Sequence, residues 1–203
     1  MIIIKPRYRH IQNTVLQFML NQGVKKYPIN IKKLAEKNGW ELISLKSLKE
    51  DKHLSLYALN ISDAITFYNS ETMQYKIVYD DSVRPTQRIR FSLAHEIGHI
   101  LLKHLEKQNI PQGKQITLIN QNEIVEQEAD FFAANLLSSN IILKALGINS
   151  VQQLMRLCGI TKSAAVSRLK NYDKWKGFKI KSQLEYSLLE NFEQFIKETK
   201  GNI

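Results

Sequence analysis

Residues 90–104, RFSLAHEIGHILLKH, place two histidines four positions apart, with a glutamate directly after the first, inside an otherwise apolar run. Successive helical residues turn by about 100°, so His95 and His99 lie about 40° apart on one face, with Glu96 about 60° beyond His99. Two neutral imidazoles so placed can reach one cation while the glutamate acts on a water beside it, which is the zinc-binding HExxH pattern. The alternative is a core helix with two satisfied histidines. Gly98 weighs against it, because a glycine inside a helix costs about 1 kcal/mol relative to alanine and is tolerated where another group approaches closely.

A catalytic zinc takes three protein ligands and keeps one position open. The third ligand is expected from NEIVEQEADFFAANLL, residues 122–137, where Glu123, Glu126, Glu128 and Asp130 crowd one helical segment. Glu126 and Asp130 share a face, whereas Glu128 points about 160° away from Asp130. Glu126 is therefore expected as the ligand, with Asp130 accepting the other N–H of a ligand histidine. Glu96 is expected as the catalytic general base. His104 sits about 180° around the helix from His95, so it is read as a supporting or packing residue.

These two segments together resemble the ImmA/IrrE family of zinc metallopeptidases, whose signature is an aromatic-led HExGH helix followed by a helix of form E-x-x-A-[ND]-x-F-A-x-x-L-L. The likeness extends over about residues 8–170, and the family's first glutamate of the second motif falls on Glu126. One departure is Ser138-Ser139, where the family usually has Met-Pro. The resemblance implies limited proteolysis of a protein partner, typically a helix-turn-helix repressor that silences a mobile element or a stress regulon, with Zn2+ as cofactor.

The elements that must hold these groups follow from periodicity. Residues 8–22 and the stretch after Pro28 read as helices; ELISL, AITFYN and YKIVYD read as short strands, the last two joined by a hairpin turn through SETMQ. Helical spacing returns at about 88–105 and 121–138, with three shorter helices between Asn149 and Thr199. The fold class expected is α+β: a small antiparallel sheet packed against helices that carry the HExxH site, in a metallopeptidase domain of residues 1–145, followed by a helix-turn-helix-like module of residues 146–203. The strand Tyr75–Asp80 is expected at the sheet edge, where an extended substrate could pair with it. Residues 106–122 have loop composition and read as a lid or a plain connection.

In the C-terminal module, Gly159 marks the turn, Thr161 caps the next helix, Ala165, Val166 and Leu169 face inward, and Lys162, Ser163, Ser167 and Arg168 face outward. The net charge of +10 concentrates in two places: seven Lys/Arg and no acidic residue up to Lys33, and seven more against Asp173 alone between Thr161 and Lys181. A weak nucleic-acid contact through residues 149–181 is one reading of this charge, a solvated basic surface the other. A DNA-binding or antitoxin-like regulator that retains a metallopeptidase fold is the rival function. One cysteine, Cys158, excludes an internal disulfide and a Cys-rich metal site. Apolar runs too short for a membrane span or a signal peptide lead to the expectation of a cytoplasmic protein with no membrane partner.

Overall fold

The computed structural model describes residues 6–48, 63–69, 72–105, 116–117 and 122–201. They fall into two compact units that are not continuous in sequence: Met1–Arg7 with Asn30–Ala133, and Tyr8–Ile29 with Ala134–Ile203.

In the first unit, α2 (Ile31–Lys37) begins where Asn30 accepts a hydrogen bond from the Lys33 N–H at 3.0 Å, and buries Ile31, Leu34 and Ala35. The helix α1 (Tyr8–Asn21) belongs to the second unit. The strands β1 (Glu41–Ser44), β2 (Ala64–Asn69), β3 (Gln74–Tyr79) and β4 (Ile116–Thr117) form one sheet in the order β1-β3-β2-β4, with α3 (Leu45–Leu48) after β1. The expected hairpin is the β2–β3 pair, registered from Ala64 opposite Tyr79 to Asn69 opposite Gln74. Two expectations are corrected. The sheet is mixed, because β1 runs parallel to β3. And β3 is an inner strand flanked by β1 and β2, so its backbone groups are committed to neighbours and Tyr75–Asp80 offers no edge. Only residues 116 and 117 of the 106–122 connection, apart from Asn122, lie among the described residues; they pair with Tyr68 and Asn69.

Against this sheet lies α4 (Thr86–Leu101), packing its buried Ile89, Leu93, Ala94 and Ile97 toward β2 and β3. It ends four residues short of the periodicity estimate. Lys103 takes a left-handed backbone (φ 59°), its N–H bonding to the Ile100 carbonyl at 3.2 Å and that of His104 to the His99 carbonyl at 3.0 Å. This is a Schellman closure with lysine where glycine is usual, and it turns the chain back beneath its own last turn. The helix α5 (Glu123–Leu137) approaches α4 at Gly98, where an added Cβ would sit 3.1 Å from Phe132 Cδ1 and 3.3 Å from the Ala129 Cα. The close approach that Gly98 signals is therefore made by Ala129 and Phe132.

The second unit is helical: α1, α6 (Asn140–Leu146), α7 (Val151–Cys158), α8 (Lys162–Trp175), α9 (Gln183–Asn191) and α10 (Glu193–Lys200). Four helices, not three, follow Asn149, because the chain breaks at Phe192 between α9 and α10. Gly159 (φ 60°) makes the α7–α8 turn, and Thr161 caps α8 by accepting from the Ala164 N–H at 3.2 Å. The phase of α8 differs from expectation: Ala165, Arg168 and Tyr172 are buried, while Val166 is 51% exposed. Arg168 is not an outward-facing residue. Its guanidinium donates to the Ser138 carbonyl, the Ser138 hydroxyl and Asn135 Oδ1, so the cation closes the carbonyl end of α5, where positive charge is favoured. The Ser138-Ser139 departure also has a partner here, for Ser139 donates its N–H to Tyr27 Oη at 2.8 Å, a bond that proline cannot make.

Candidate metal centre

The spacing of His95 and His99 on α4 brings both Nε2 atoms to one point, 2.8 Å apart. Glu126, on the first turn of α5, closes the triangle: Oε2 is 3.1 Å from His95 Nε2 and Oε1 is 3.5 Å from His99 Nε2. A tetrahedral ion with bonds of about 2.0–2.1 Å needs ligand atoms about 3.3–3.4 Å apart; the three spans fall on either side of this value, and a widening of the His95–His99 pair by about half an ångström would complete the fit. All three ligand atoms lie within 4.8 Å of one another, and the cluster can hold a metal ion.

The groups behind these atoms decide which lone pairs are presented. His95 Nδ1 stands 2.8 Å from Asp130 Oδ1, which accepts its N–H and leaves Nε2 bare. Glu96 is buried, and its Oε2 accepts the Thr66 hydroxyl of β2 at 2.6 Å. The Schellman turn brings His104 Nδ1 to 3.1 Å from His99 Nδ1, so His104 lies against a histidine of the cluster and not across the helix from it. His104 Nε2 in turn faces Glu128 Oε2 at 3.0 Å. Arg7 holds Glu128 with its backbone N–H at 2.7 Å and its side chain at 3.0 and 2.6 Å.

Burial, with His95 and His104 adding to it, pushes the His99 imidazole down to about 2, which keeps it neutral as a ligand must be. Burial also lowers His104, against the pull of Glu128. For His95, burial acts downward but the Asp130 hydrogen bond and the charges of Glu96, Asp130 and Glu126 outweigh it, so the imidazole is raised. Those same carboxylates would favour a cation in place of that proton. Burial raises Glu96 despite the Thr66 hydrogen bond, the direction a general base working near neutrality needs. Glu128 goes the other way, to about 2, chiefly through the Arg7 side-chain hydrogen bond.

Residues 36–170, well over half of the chain, match the M78 peptidase family through its IrrE N-terminal-like domain. The chain belongs to this family. No curated protein sequence matches it significantly. The M78 assignment supports a peptidase of the metallopeptidase type, and the matched segment carries His95, Glu96, His99, His104, Glu126, Glu128 and Asp130. Arg7 lies outside the M78 segment. No helix of the described residues is long and apolar enough to cross a membrane.

Sequence reasoning missed Thr66, Glu128 and Arg7. Thr66 lies in a β-branched strand with nothing to distinguish it from a packing residue, and Arg7 stands 121 positions from its partner. For Glu128 one signal existed: an acidic residue between Ala129 and the Glu126 face, on a helix whose other side is apolar, needs a buried partner.

Proposed function

We propose that this chain is a zinc-dependent endopeptidase that performs limited proteolysis of a protein partner, a helix-turn-helix transcriptional repressor of a mobile element or stress regulon. The observation that carries the enzymatic part is the convergence of His95, His99 and Glu126 on one point with the buried carboxylate of Glu96 on the adjoining turn. Two imidazoles and one carboxylate, with no cysteine, are a zinc-type donor set that leaves a position open. The repressor as substrate rests on the resemblance of the two motifs to the ImmA/IrrE peptidases.

When bound, the cation supplies Lewis acidity to the reacting oxygens. His95 and His99 present bare Nε2 atoms to it, Asp130 fixes the His95 ring, and Glu126 adds the charge that offsets a dication. Glu96 takes a proton from the attacking water and passes it to the leaving amide nitrogen. Thr66 keeps that carboxylate oriented.

Metal analysis of protein purified without chelator should give one zinc per chain, and Glu126→Ala should lose it. Glu96→Gln should keep fold and zinc yet cut its partner at least about 100-fold more slowly, since the amide cannot accept the proton. Cleavage by that variant at the wild-type rate would overturn the mechanism. The rival reading, a DNA-binding regulator, draws on the α7–α8 pair with Lys162, Ser163 and Ser167 exposed on α8. It is weakened by the withdrawal of Arg168 into the core.

A further inference from the structure

A chain of four side chains runs from the candidate metal ligand His99 to the surface. His99, His104 and Glu128 are 1%, 5% and 3% exposed, while the Arg7 side chain at the outer end is 53% exposed. Each link is at hydrogen-bond distance: 3.1 Å between the two Nδ1 atoms, 3.0 Å from His104 Nε2 to Glu128 Oε2, and three donors from Arg7 onto Glu128.

The donors and acceptors along this chain can be assigned from its outer end. Arg7 has only donors, so Glu128 beside it stays ionised and can only accept. His104 must then carry its proton on Nε2. A neutral imidazole has one N–H, so His104 Nδ1 is a bare acceptor, and the proton shared across the 3.1 Å contact belongs to His99 Nδ1. His99 is left with Nε2 bare, and that is the nitrogen that faces His95 and Glu126.

We propose that Arg7, Glu128 and His104 are positioning residues that set the tautomer and ring orientation of His99, so that a segment preceding the matched peptidase domain prepares one of its metal ligands. The proposal rests on the metal-site reading above for its consequence, though not for the tautomers themselves. Asp130 does the same for His95 in one step; for His99 the carboxylate stands one imidazole further back.

Glu128→Gln inverts the relay without removing volume. Two fixed Arg7 donors converge on Oε1 and only one, Nη2, on Oε2, where His104 can change tautomer, so the amide oxygen takes the Oε1 position and the NH2 group takes the one facing His104, with loss of the Nη2 bond. His104 must then accept at Nε2 and carry its proton on Nδ1, which moves the His99 proton to Nε2, the wrong nitrogen for a ligand. Long-range 1H–15N spectra of metal-free, histidine-labelled full-length protein read this directly. Wild type is expected to show His99 protonated on Nδ1 and His104 on Nε2, and Glu128→Gln the reverse at both. Zinc and cobalt(II) affinity of Glu128→Gln should fall about 10–100-fold, the usual range for losing such an orienting partner. Arg7→Met, altered at the exposed end, should give a smaller loss of affinity in the same direction, and serves if Glu128→Gln does not fold. A wild-type His99 protonated on Nε2 overturns the proposal, as does a folded Glu128→Gln with unchanged tautomers and affinity or, in its place, Arg7→Met with unchanged affinity. Wild-type tautomers as assigned in a protein that binds neither metal would uphold the relay and sink the metal-site reading instead.

Discussion

Thr66 and Glu96 meet at 2.6 Å with both residues buried, so the strand holds the carboxylate that α4 presents. A hydrogen bond to a charged group contributes about 1.5–3 kcal/mol. Thr66→Val keeps the shape of the site and removes the donor. Burial already raises Glu96, and the Thr66 hydrogen bond, together with the charge of His95, opposes that rise, so loss of the hydroxyl raises the carboxyl further. A base must be ionised to act, hence the acid limb of the cleavage profile should move to higher pH, with cleavage near neutrality slower by roughly tenfold. Rates measured across pH for both proteins, with zinc content checked, decide this. An unmoved acid limb would mean that Thr66 is only packing.

Among the elements, the end of α4 shapes the site most. Had the helix continued, His104 would have stood on the opposite side from His95. The left-handed Lys103 instead folds His104 beneath His99. A side chain in that region costs roughly 1–2 kcal/mol, partly offset by the entropy that glycine loses on folding. Lys103→Gly should therefore stabilise the protein by up to about 1 kcal/mol and leave metal binding unchanged. A thermal melt with a parallel zinc titration is the check, and a destabilised Lys103→Gly would show that the lysine side chain has a contact of its own. Gly98 acts at the same scale: its missing Cβ lets Ala129 and Phe132 of α5 approach α4, which brings Glu126 within reach of the two histidines.

At the scale of the whole molecule, the exposed lysines of α8 are a surface that could select the protein partner proposed above. Lys162 and Lys170 are exposed, whereas Arg168 is committed to Ser138. Deleting residues 149–203 is a poor test of this, because α9 packs on α1 within the second unit and its loss would expose the buried Ile11, Val15 and Met19 face. Charge reversal is cleaner. Lys162→Glu with Lys170→Glu should keep the fold and one zinc per chain while weakening cleavage of the natural partner by roughly tenfold or more, through loss of electrostatic complementarity. Unchanged cleavage would show that this face does not select the substrate.

What the sequence by itself determined lies within single helices. A repeat of 3.6 residues fixes which side chains share a face, so the four-residue spacings of His95 with His99 and of Glu126 with Asp130 were enough to foretell which groups would stand together. The cap at Thr161 and the turn at Gly159 were legible for the same local reason. Only the tertiary structure decided what stands behind those groups. Helical phase says nothing of a strand's partner, so the inner place of β3 and the grip of Thr66 on Glu96 follow from sheet order and packing. Phase also fails where a helix stops, as at Lys103, and where a charge is drawn inward by an orphan carbonyl, as Arg168 is by Ser138. Arg7 and Glu128 are the extreme case: a bond across 121 residues leaves no local periodic trace, because only the folded chain brings two such distant positions together.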